Sequence, residues 1–530
     1  MINRRGIGVV FCVVLMSLSA ESVGQSIAEA KSDEYLLLGN PNRGAGEPWV
    51  FVNPKDPKNI IVDAMSTLNR LPTGEAPIPR TGTTAPGGPM TPNPARTALR
   101  IKELSTPDGS LTAIAVTHDG GNTWTFSEDN LRKILAKNRC SDTFAGAGPD
   151  GALYMGCLAY LNRGDADYKY GWAPNGEAWY YHGGSAIERS MDEGRTWSQP
   201  VWVQPALSPS LYASTVHPVF EQASPWDRPD FVVDASTNTI YISGSGLAYT
   251  VAPKTVHRPV RNPNIPGGGY TGYPSPDVSR RRTFLRASHD DGRTWGVIYP
   301  MDSDEYPGAG GFSAAFGHLV VAYPASKVPA SENATCPCTV FGVSQNYGKT
   351  FDYKVIPPIP SELAATEAPT RGGFPARMAV MVSADPSREG RYAVARIVGK
   401  KILVSLTEDG GKSWRAPVVA GELPSNAISF SHHAMKYSPE GDLGIIWKAV
   451  YPDRSFDMWS AVSRDGGSSF KTIRVSHAVS PTYINDRGNF MFGDDLSTLD
   501  IDREYLYAVW GDNRSGFEGT WFGRVPLSAY

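Results

Sequence analysis

Short stretches in which apolar and polar residues alternate recur along this chain. Each has a polar start, an alternating strand, a turn and a second strand rich in Tyr, Val and Ile. Alternation with a period of two is typical of half-buried β-strands, and no long helical pattern is present. Seven such strand pairs begin at Glu47, Ser141, Asp227, Gly310, Phe374, Phe430 and Asn489. We therefore predict an all-β fold.

A second repeat is a polar turn that ends in an aromatic residue, most clearly in Ser288-His-Asp-Asp-Gly-Arg-Thr-Trp295. The hydroxyl and the carboxylate can bond to backbone groups of the turn, Gly supplies a positive φ, and the aromatic side chain can enter a core. Further copies begin at Thr117, Ser190, Thr407 and Ser463, with a divergent one at Ser344. Six copies predict a repeat architecture.

These turns resemble the Asp-box (BNR) repeats of the sialidase superfamily of β-propellers. The resemblance implies a single propeller of four-stranded antiparallel blades, in which each box is a structural turn. The acidic or amide positions of the boxes are Asp119, Asp192, Asp290, Asn346, Asp409 and Asp465. Seven strand pairs indicate seven blades, with six as the alternative. The last blade has only about three strands, so we predict that the segment from Glu34 to Gly39 closes it.

The N-terminus has the plan of a secretory signal peptide. Two arginines precede an apolar run from Ile7 to Leu18, and small residues follow. The run is too short to span a membrane. We expect a leader within residues 1–28, cleaved after Ala20 or Ala28, and a secreted or periplasmic protein whose propeller covers residues 34–530.

Charge and cysteine content narrow the possible partners. The formal net charge is −3 and there is no basic tract, so we expect no nucleic-acid partner. We expect a glycan partner, a monomer and no cofactor. Cys140 and Cys157 flank a predicted hairpin and are a disulfide candidate, whereas Cys336 and Cys338 are so close that they bridge only with strain. The cysteine spacing predicts no metal site.

The repeated turns also indicate where a site would lie. With strands A to D counted outward from the axis, the boxes lie between C and D, on what we term the lower face. The B–C connections and the links between blades then share the upper face. Long irregular segments fall there, at 66–97, 161–183, 198–225, 252–281 and 476–487. Long loops are commonly functional, so we predict a site on the upper face.

Polar residues are concentrated at the start of the innermost strands, around the mouth of the channel. The carboxylates are Glu47, Asp142, Asp227, Asp230, Asp494 and Asp495. The cationic and imidazole groups are Arg228, Arg371, Arg377, Arg487, His432 and His433. Any one of them can be a structural ion pair, but their convergence favours a binding site. Trp172, in the aromatic-rich loop 161–183, is a candidate for stacking on a sugar ring.

Sialidases of this superfamily bind the substrate carboxylate with three arginines, use an aspartate as acid/base and use a glutamate-activated tyrosine as nucleophile. By position, the resemblance implies Arg228, Arg371 and Arg487 for the clamp, Asp142 for the acid/base and Tyr483 for the nucleophile. Further candidate catalytic carboxylates are Glu47, Asp230 and Asp494. The Phe-Arg-Ile-Pro motif of sialidases is absent, and no glutamate is assigned to Tyr483.

The segments Glu47-Pro-Trp-Val-Phe-Val-Asn-Pro and Trp510-Gly-Asp-Asn-Arg514 are similar to those of exported bacterial BNR-repeat proteins labelled exo-α-sialidase or glycosyl hydrolase. Three functions remain open. One is a glycosidase for an acidic or extracellular glycan. Another is a polysaccharide lyase, in which His432, His433 or Tyr483 takes the proton next to a uronate carboxylate. The last is a propeller that binds glycan or protein without catalysis.

Overall fold

The structure of the chain is a computed structural model. It describes residues 32–41, 43–68, 110–127, 138–161, 171–172, 178–179, 183–204, 227–249, 278–360, 380–453, 455–481 and 496–530. These residues form seven four-stranded antiparallel sheets and one two-stranded sheet. The predicted all-β fold of seven blades is confirmed. In the same ranges, no helix is long and apolar enough to cross a membrane.

The strands are numbered in chain order, and β1 is Asp33–Leu38. Blade 1 consists of β2 (Arg43–Asn53), β3 (Asp56–Leu68), β4 (Ser110–Thr117) and β5 (Thr125–Ser127). Blade 2 begins with β6 (Asn138–Ala147) and β7 (Leu153–Leu161). The small sheet of β8 (Gly171–Trp172) and β9 (Ala178–Trp179) follows, and then β10 (Gly183–Ser190) and β11 (Val201–Gln204). Blade 3 consists of β12 (Asp227–Val233), β13 (Ile240–Tyr249), β14 (Val278–Ser288) and β15 (Tyr299–Pro300).

Blade 4 consists of β16 (Gly311–Ala315), β17 (His318–Ala325), β18 (Cys338–Ser344) and β19 (Asp352–Val355). Blade 5 consists of β20 (Val380–Ala384), β21 (Tyr392–Val398), β22 (Lys401–Thr407) and β23 (Val418–Glu422). Blade 6 consists of β24 (Ser429–Tyr437), β25 (Leu443–Val450), β26 (Phe456–Ser463) and β27 (Lys471–Arg474). Blade 7 contains β28 (Ser497–Ile501), β29 (Tyr505–Asp512) and β30 (Gly519–Pro526). Single 3₁₀ turns occur at Ala330–Glu332 and Leu527–Ala529.

The first strand of each blade contacts the first strands of both neighbouring blades, so these strands form a closed inner ring. Polar side chains link the ring across blade boundaries. Thr498 Oγ1 accepts the backbone N–H of Val50 at 3.0 Å, and Asp500 Oδ2 accepts that of Val52 at 2.8 Å. The apolar core lies between blades: for example, Ile402 of blade 5 and Trp447 of blade 6 belong to one fully buried cluster.

The ring is closed by the N-terminal strand, as predicted. Strand β1 pairs antiparallel with β30 and is the fourth strand of blade 7. Tyr35 then joins it to blade 1, because its hydroxyl donates to the Gly121 carbonyl at 2.8 Å and accepts the Trp124 indole N–H at 2.7 Å. The chain therefore completes blade 7 with strands that are far apart in sequence, and β1 covers the edge that β30 would otherwise leave unpaired.

An ion network holds β1 in place. The Nη2 atom of Arg514 lies 2.5 Å from Glu34 Oε1 and 2.7 Å from Asp512 Oδ2. Only 2% of the Glu34 side chain and none of the Asp512 side chain is exposed, and the guanidinium lies 4.0 Å from the centre of the Trp521 ring. The two buried carboxylates thus share one cation, which offsets their desolvation.

The six repeated turns share one hydrogen-bond pattern. Ser288 Oγ donates to Asp290 Oδ1 at 2.9 Å and accepts the Gly292 N–H at 2.9 Å, while both carboxylate oxygens of Asp290 accept bonds from Thr294. Equivalent bonds involve Asp119, Asp192, Asp409, Asp465 and, through an amide, Asn346. Each turn joins the third and fourth strands of its blade. These carboxylates are therefore engaged within their own turns.

The glycine at the fifth position of each turn packs against the third strand of the preceding blade. At Gly467, which has a φ of +84°, a methyl group would lie 2.2 Å from a Leu406 methyl carbon. The equivalent neighbours in the other turns are Phe522, Val116, Ile187, Leu285 and Phe341. The repeated turns therefore set the spacing between blades as well as ending the third strand.

The long segments attach to the strand ends opposite these turns. Residues 69–109, 162–182 and 250–277 connect the second and third strands of blades 1, 2 and 3. Residues 205–226 connect blades 2 and 3, and residues 482–496 connect blades 6 and 7. The strand order thus attaches these segments at the upper face. The predicted link at 198–225 was wrong in its first part, because Val201–Gln204 is the fourth strand of blade 2.

Breaking the ion network should weaken ring closure. We expect Arg514→Met to lower the free energy of unfolding by about 3–5 kcal/mol, because Glu34 and Asp512 would remain buried without their cation. Arg503→Met is the matched control, since the Arg503–Glu440 pair is exposed and should contribute about 1 kcal/mol or less. Urea unfolding measures both; equal losses in the two variants would contradict the role of the network.

Removing the hydroxyl group of a repeated turn should lower the stability of the protein, whereas removing an exposed hydroxyl group should not. We expect Ser288→Ala to cost about 1–2 kcal/mol, because the buried N–H of Gly292 loses its acceptor. Ser326→Ala, at an exposed serine of blade 4, is the control and should leave stability unchanged. Chemical denaturation measures the difference, and a neutral Ser288→Ala would refute it.

Candidate functional site

Four of the seven innermost strands are bulged at their upper ends. The ladder shifts register between Gly46 and Trp49 in β2 and between Ser141 and Thr143 in β6. The same happens between Asp227 and Asp230 in β12 and between Ser431 and Ala434 in β24. Over their described lengths, β16, β20 and β28 pair without a shift. Bulges bend a strand and redirect its side chains, often beside active sites.

Three bulges contain a residue other than glycine in the left-handed backbone region. The φ values are 52° at Glu47, 44° at Asp142 and 44° at His432. Such a conformation costs about 1 kcal/mol or more for a residue with a Cβ. Glu47 and His432 are buried, whereas Asp142 is partly exposed. The same backbone feature therefore recurs at the channel mouth in blades 1, 2 and 6.

The carboxylates of blades 1 to 3 lie on neighbouring strands. Strand β6 contacts both β2 and β12, and Thr143 Oγ1, next to Asp142, donates to the Glu47 carbonyl at 3.3 Å. Asp230 Oδ1 accepts the Phe231 N–H at 2.9 Å. Glu47 is thus buried, while Asp142 and Asp230 are partly exposed, so the three carboxyl groups have different surroundings. Different surroundings are a requirement for two carboxyl groups that serve as acid and base in one site.

Blade 6 contributes imidazole and ammonium groups. His432 Nδ1 is hydrogen-bonded to Ser431 Oγ. Opposite Ser431 in the ladder, the fully buried Lys448 donates to the Gly511 carbonyl at 3.0 Å and lies 4.5 Å from the centre of the Phe456 ring. Lys448 therefore links blade 6 to blade 7 just above the bulge.

The ring of His433, beside this bulge, is neutral at pH 7, because burial lowers its pKa to about 4. Neither of its ring nitrogens has a hydrogen-bond partner among the residues described. This side of the mouth therefore presents an uncharged imidazole that can both donate and accept.

The structure describes five of the predicted site side chains: Glu47, Asp142, Asp230, His432 and His433. All five are on the bulged innermost strands. The backbones of Arg228 and Trp172 are described but their side chains are not. The candidates that lie outside the described residues are Tyr483, Asp494, Asp495, Arg371, Arg377 and Arg487, and only the backbone of Asp227 is described. The arginine clamp and the tyrosine nucleophile therefore stay predictions.

Three tyrosine–carboxylate pairs among the described residues were not foreseen from the sequence, and one of them joins Tyr507 Oη to Asp502 Oδ2 at 2.8 Å in blade 7. Tyr451 Oη donates to Asp457 Oδ2 at 2.6 Å, and Asp457 also pairs with Arg474 at 2.7 Å. Tyr306 Oη donates to Glu332 Oε1 at 2.7 Å. Burial and the bonded carboxylates raise the pKa of Tyr451 and raise that of Tyr306 to about 12. Such tyrosines retain their protons, so neither the Tyr451 pair nor the Tyr306 pair suits a nucleophile.

The four cysteines of the propeller differ in how far the structure defines their disulfide bonds. Cys157 is buried and disulfide-bonded. The side chain of Cys140 lies outside the described part, so their pairing stays a prediction. Cys336 and Cys338 are bonded to each other in the B–C connection of blade 4, despite their close spacing. In the described part of the chain, no three His, Cys, Asp or Glu side chains cluster as metal ligands would.

Comparison with known proteins gave structural matches only. No family model and no curated protein matches the chain. A protein of unknown function from Dyadobacter fermentans is 12% identical, with a TM-score of 0.46, over 94% of this chain and 99% of that one. The NanB sialidase from Streptococcus pneumoniae is 10% identical, with a TM-score of 0.41, over 94% and 98%. The intramolecular trans-sialidase from Ruminococcus gnavus is 14% identical, with a TM-score of 0.39, over 75% and 96%.

The neutral state of His433 predicts a pH dependence of stability. Its pKa is about 4 in the folded protein and about 6.5 when unfolded, so the unfolded chain binds the proton first as pH falls. The wild type should therefore lose on the order of 1–3 kcal/mol more stability than His433→Phe between about pH 6.5 and pH 4. Urea unfolding over a pH series tests this, and parallel curves for the two proteins would contradict it.

Proposed function

We propose that this protein is an exported, sialidase-like glycoside hydrolase that acts on an acidic or extracellular glycan at the upper mouth of the channel. The observation that carries the proposal is the placement of Glu47, Asp142 and Asp230 on three consecutive innermost strands, each at a bulge. Glycoside hydrolysis requires two carboxyl groups, one to protonate the leaving oxygen and one to act as base or nucleophile.

Asp142 is the proposed acid/base, because it is partly exposed and can meet substrate, while Glu47 or Asp230 supplies the second carboxyl group. Such a carboxylic acid donates its proton to the glycosidic oxygen as the bond breaks. The second carboxylate stabilises the developing positive charge or activates water. The retained alternative for the nucleophile is Tyr483, as the resemblance to sialidases implies.

The remaining predicted residues orient the substrate. Arg228, Arg371, Arg377 and Arg487 would bind an acidic group on the sugar, since guanidinium pairs with carboxylate through two parallel hydrogen bonds. Trp172 would stack against a sugar ring. In this proposal the six repeated turns are Asp boxes, which have a structural role on the opposite face.

A lyase is less well supported by the described groups. Proton removal next to a carboxylate needs a base whose pKa is near the working pH. His433 has a pKa of about 4, so it is a weak base at neutral pH. Of the candidate bases His432, His433 and Tyr483, His433 is therefore unsuited to the lyase, whereas carboxylates on three consecutive strands supply the groups that hydrolysis needs.

Substitution of the carboxylates tests the proposal. On a panel of sialosides and uronate polymers, we expect Asp142→Asn and Glu47→Gln each to lower kcat by about a hundredfold or more, without loss of folding. Asp453→Asn, in an exposed loop of blade 6, is the matched control and should keep full activity.

Each other outcome has a distinct meaning. Sugar release that is unchanged in both variants would overturn the site. An unsaturated uronate product would replace the hydrolase with a lyase. Saturable glycan binding by the wild type without any turnover would make this a binding propeller.

A further inference from the structure

The disulfide between Cys336 and Cys338 is accessible on the upper face of blade 4. Residues 326–337 connect β17 to β18, and the disulfide lies where this connection enters β18. Both cysteines are partly exposed, and their neighbours Thr335 and Pro337 are exposed. By contrast, the disulfide-bonded Cys157 of blade 2 is 0% exposed. Accessible disulfides are the ones that thiols in solution can attack.

The connection is held in place by contacts that do not involve sulfur. Tyr306 Oη donates to Glu332 Oε1 at 2.7 Å, and the Val355 N–H donates to Glu332 Oε2 at 3.2 Å. These bonds attach the connection to the link between blades 3 and 4 and to the outer strand β19. Cys338 is itself part of the ladder, opposite Ala325 of β17. The connection is therefore fixed on both sides without the disulfide.

The disulfide encloses too little of the chain to contribute much to stability. A disulfide stabilises a protein largely by restricting the unfolded chain, and the effect grows with the number of residues in the closed loop. Here the cysteines are two positions apart, so only Pro337 lies between them. Opening this bond should therefore leave the propeller folded, which a bond that is made and broken in the native protein requires.

The close spacing also suits exchange with thiols. A thiolate that attacks one sulfur breaks the bond between Cys336 and Cys338, forms a mixed disulfide and leaves the other cysteine as a thiolate. A second thiolate attacks the mixed disulfide and leaves as an oxidised disulfide. Two electrons thus pass to the protein, and the two protons lost by the attacking thiols end on the two cysteines.

The reverse reaction uses the same proximity. When one cysteine of the reduced pair carries a mixed disulfide, the thiol two positions away is present at a high effective concentration. It attacks the cysteine sulfur of the mixed disulfide, re-forms the bond between Cys336 and Cys338 and releases the thiol. The pair can therefore return to its oxidised form without a change in the rest of the blade.

We propose that Cys336 and Cys338 form a thiol–disulfide exchange site. Its substrate is an accessible thiol, carried either by a small molecule or by another protein. The inference goes beyond the proposed glycan hydrolase and does not depend on it.

The test is to treat the folded protein with reduced glutathione or, separately, with reduced thioredoxin, and then with iodoacetamide. We expect Cys336 and Cys338 to be alkylated at least about a hundredfold faster than Cys157, whose sulfur is reached only when the sheet opens. Peptide mass mapping measures all three. Reaction with glutathione makes a small thiol a substrate, and reaction with thioredoxin makes a protein thiol one. Protection equal to that of Cys157 in both arms would overturn the proposal.

Single substitutions test the role of the second cysteine. Cys336→Ser and Cys338→Ser each leave one thiol, so each should accumulate a mixed disulfide with oxidised glutathione. The reduced wild type should instead return to its internal disulfide. Intact mass measures the adduct, and equal accumulation on the wild type and both variants would contradict an exchange site.

Thermal unfolding separates exchange from a structural role. The double variant Cys336→Ser/Cys338→Ser should melt within about 2 °C of the wild type, because the lost loop is so small. Cys157→Ser is the matched control and should melt about 5 °C or more below the wild type, since a buried disulfide in the sheet is lost. A double variant that is destabilised as much as Cys157→Ser would make the bond structural and overturn the proposal. Absence of glycan hydrolysis would overturn the proposed function alone, because none of these measurements uses a glycan.

Discussion

The pairing of β1 with β30 is the interaction on which the rest of the structure depends. Every blade presents one face to each neighbour, so the ring is stable only if its last sheet is complete. Strand β1 supplies the missing strand, and the network of Glu34, Arg514 and Asp512 anchors it. Tyr35 extends the closure to the first repeated turn of blade 1. A break here would expose strand edges and the apolar faces of blades 7 and 1 together.

The repeated turns explain how the lower face can keep one turn geometry in six blades while the strand ends at the upper face depart from regular pairing. On the lower face each turn satisfies its own hydrogen bonds and places a glycine against the preceding blade, which fixes the spacing of the sheets. With the spacing set there, the upper ends of the strands are free to depart from regular pairing. Bulges in β2, β6, β12 and β24 use that freedom. Regular turns and irregular strand ends thus lie on opposite faces of one ring.

The channel mouth combines features that do not favour folding. Glu47, Asp142 and His432 have a left-handed backbone, and His433 and Ser497 have unbonded buried atoms within the described chain. Each is a local cost, and together they occupy one arc of blades rather than the whole ring. A stable scaffold of seven sheets can sustain such costs.

The sequence by itself determined the features that depend on neighbouring residues. Alternation marked the strands, and the bonds of each repeated turn lie within a few residues, so Ser288 and Asp290 revealed the turn and the phase of the blade. That phase in turn placed the carboxylates of Glu47, Asp142 and Asp230 at the mouth. The sequence also predicted the closing strand, because the last blade had only about three strands of its own.

Only the tertiary structure decided which distant residues are in contact. Glu34 and Arg514 are 480 positions apart. The bulges depend on pairing between strands, which a local pattern does not encode.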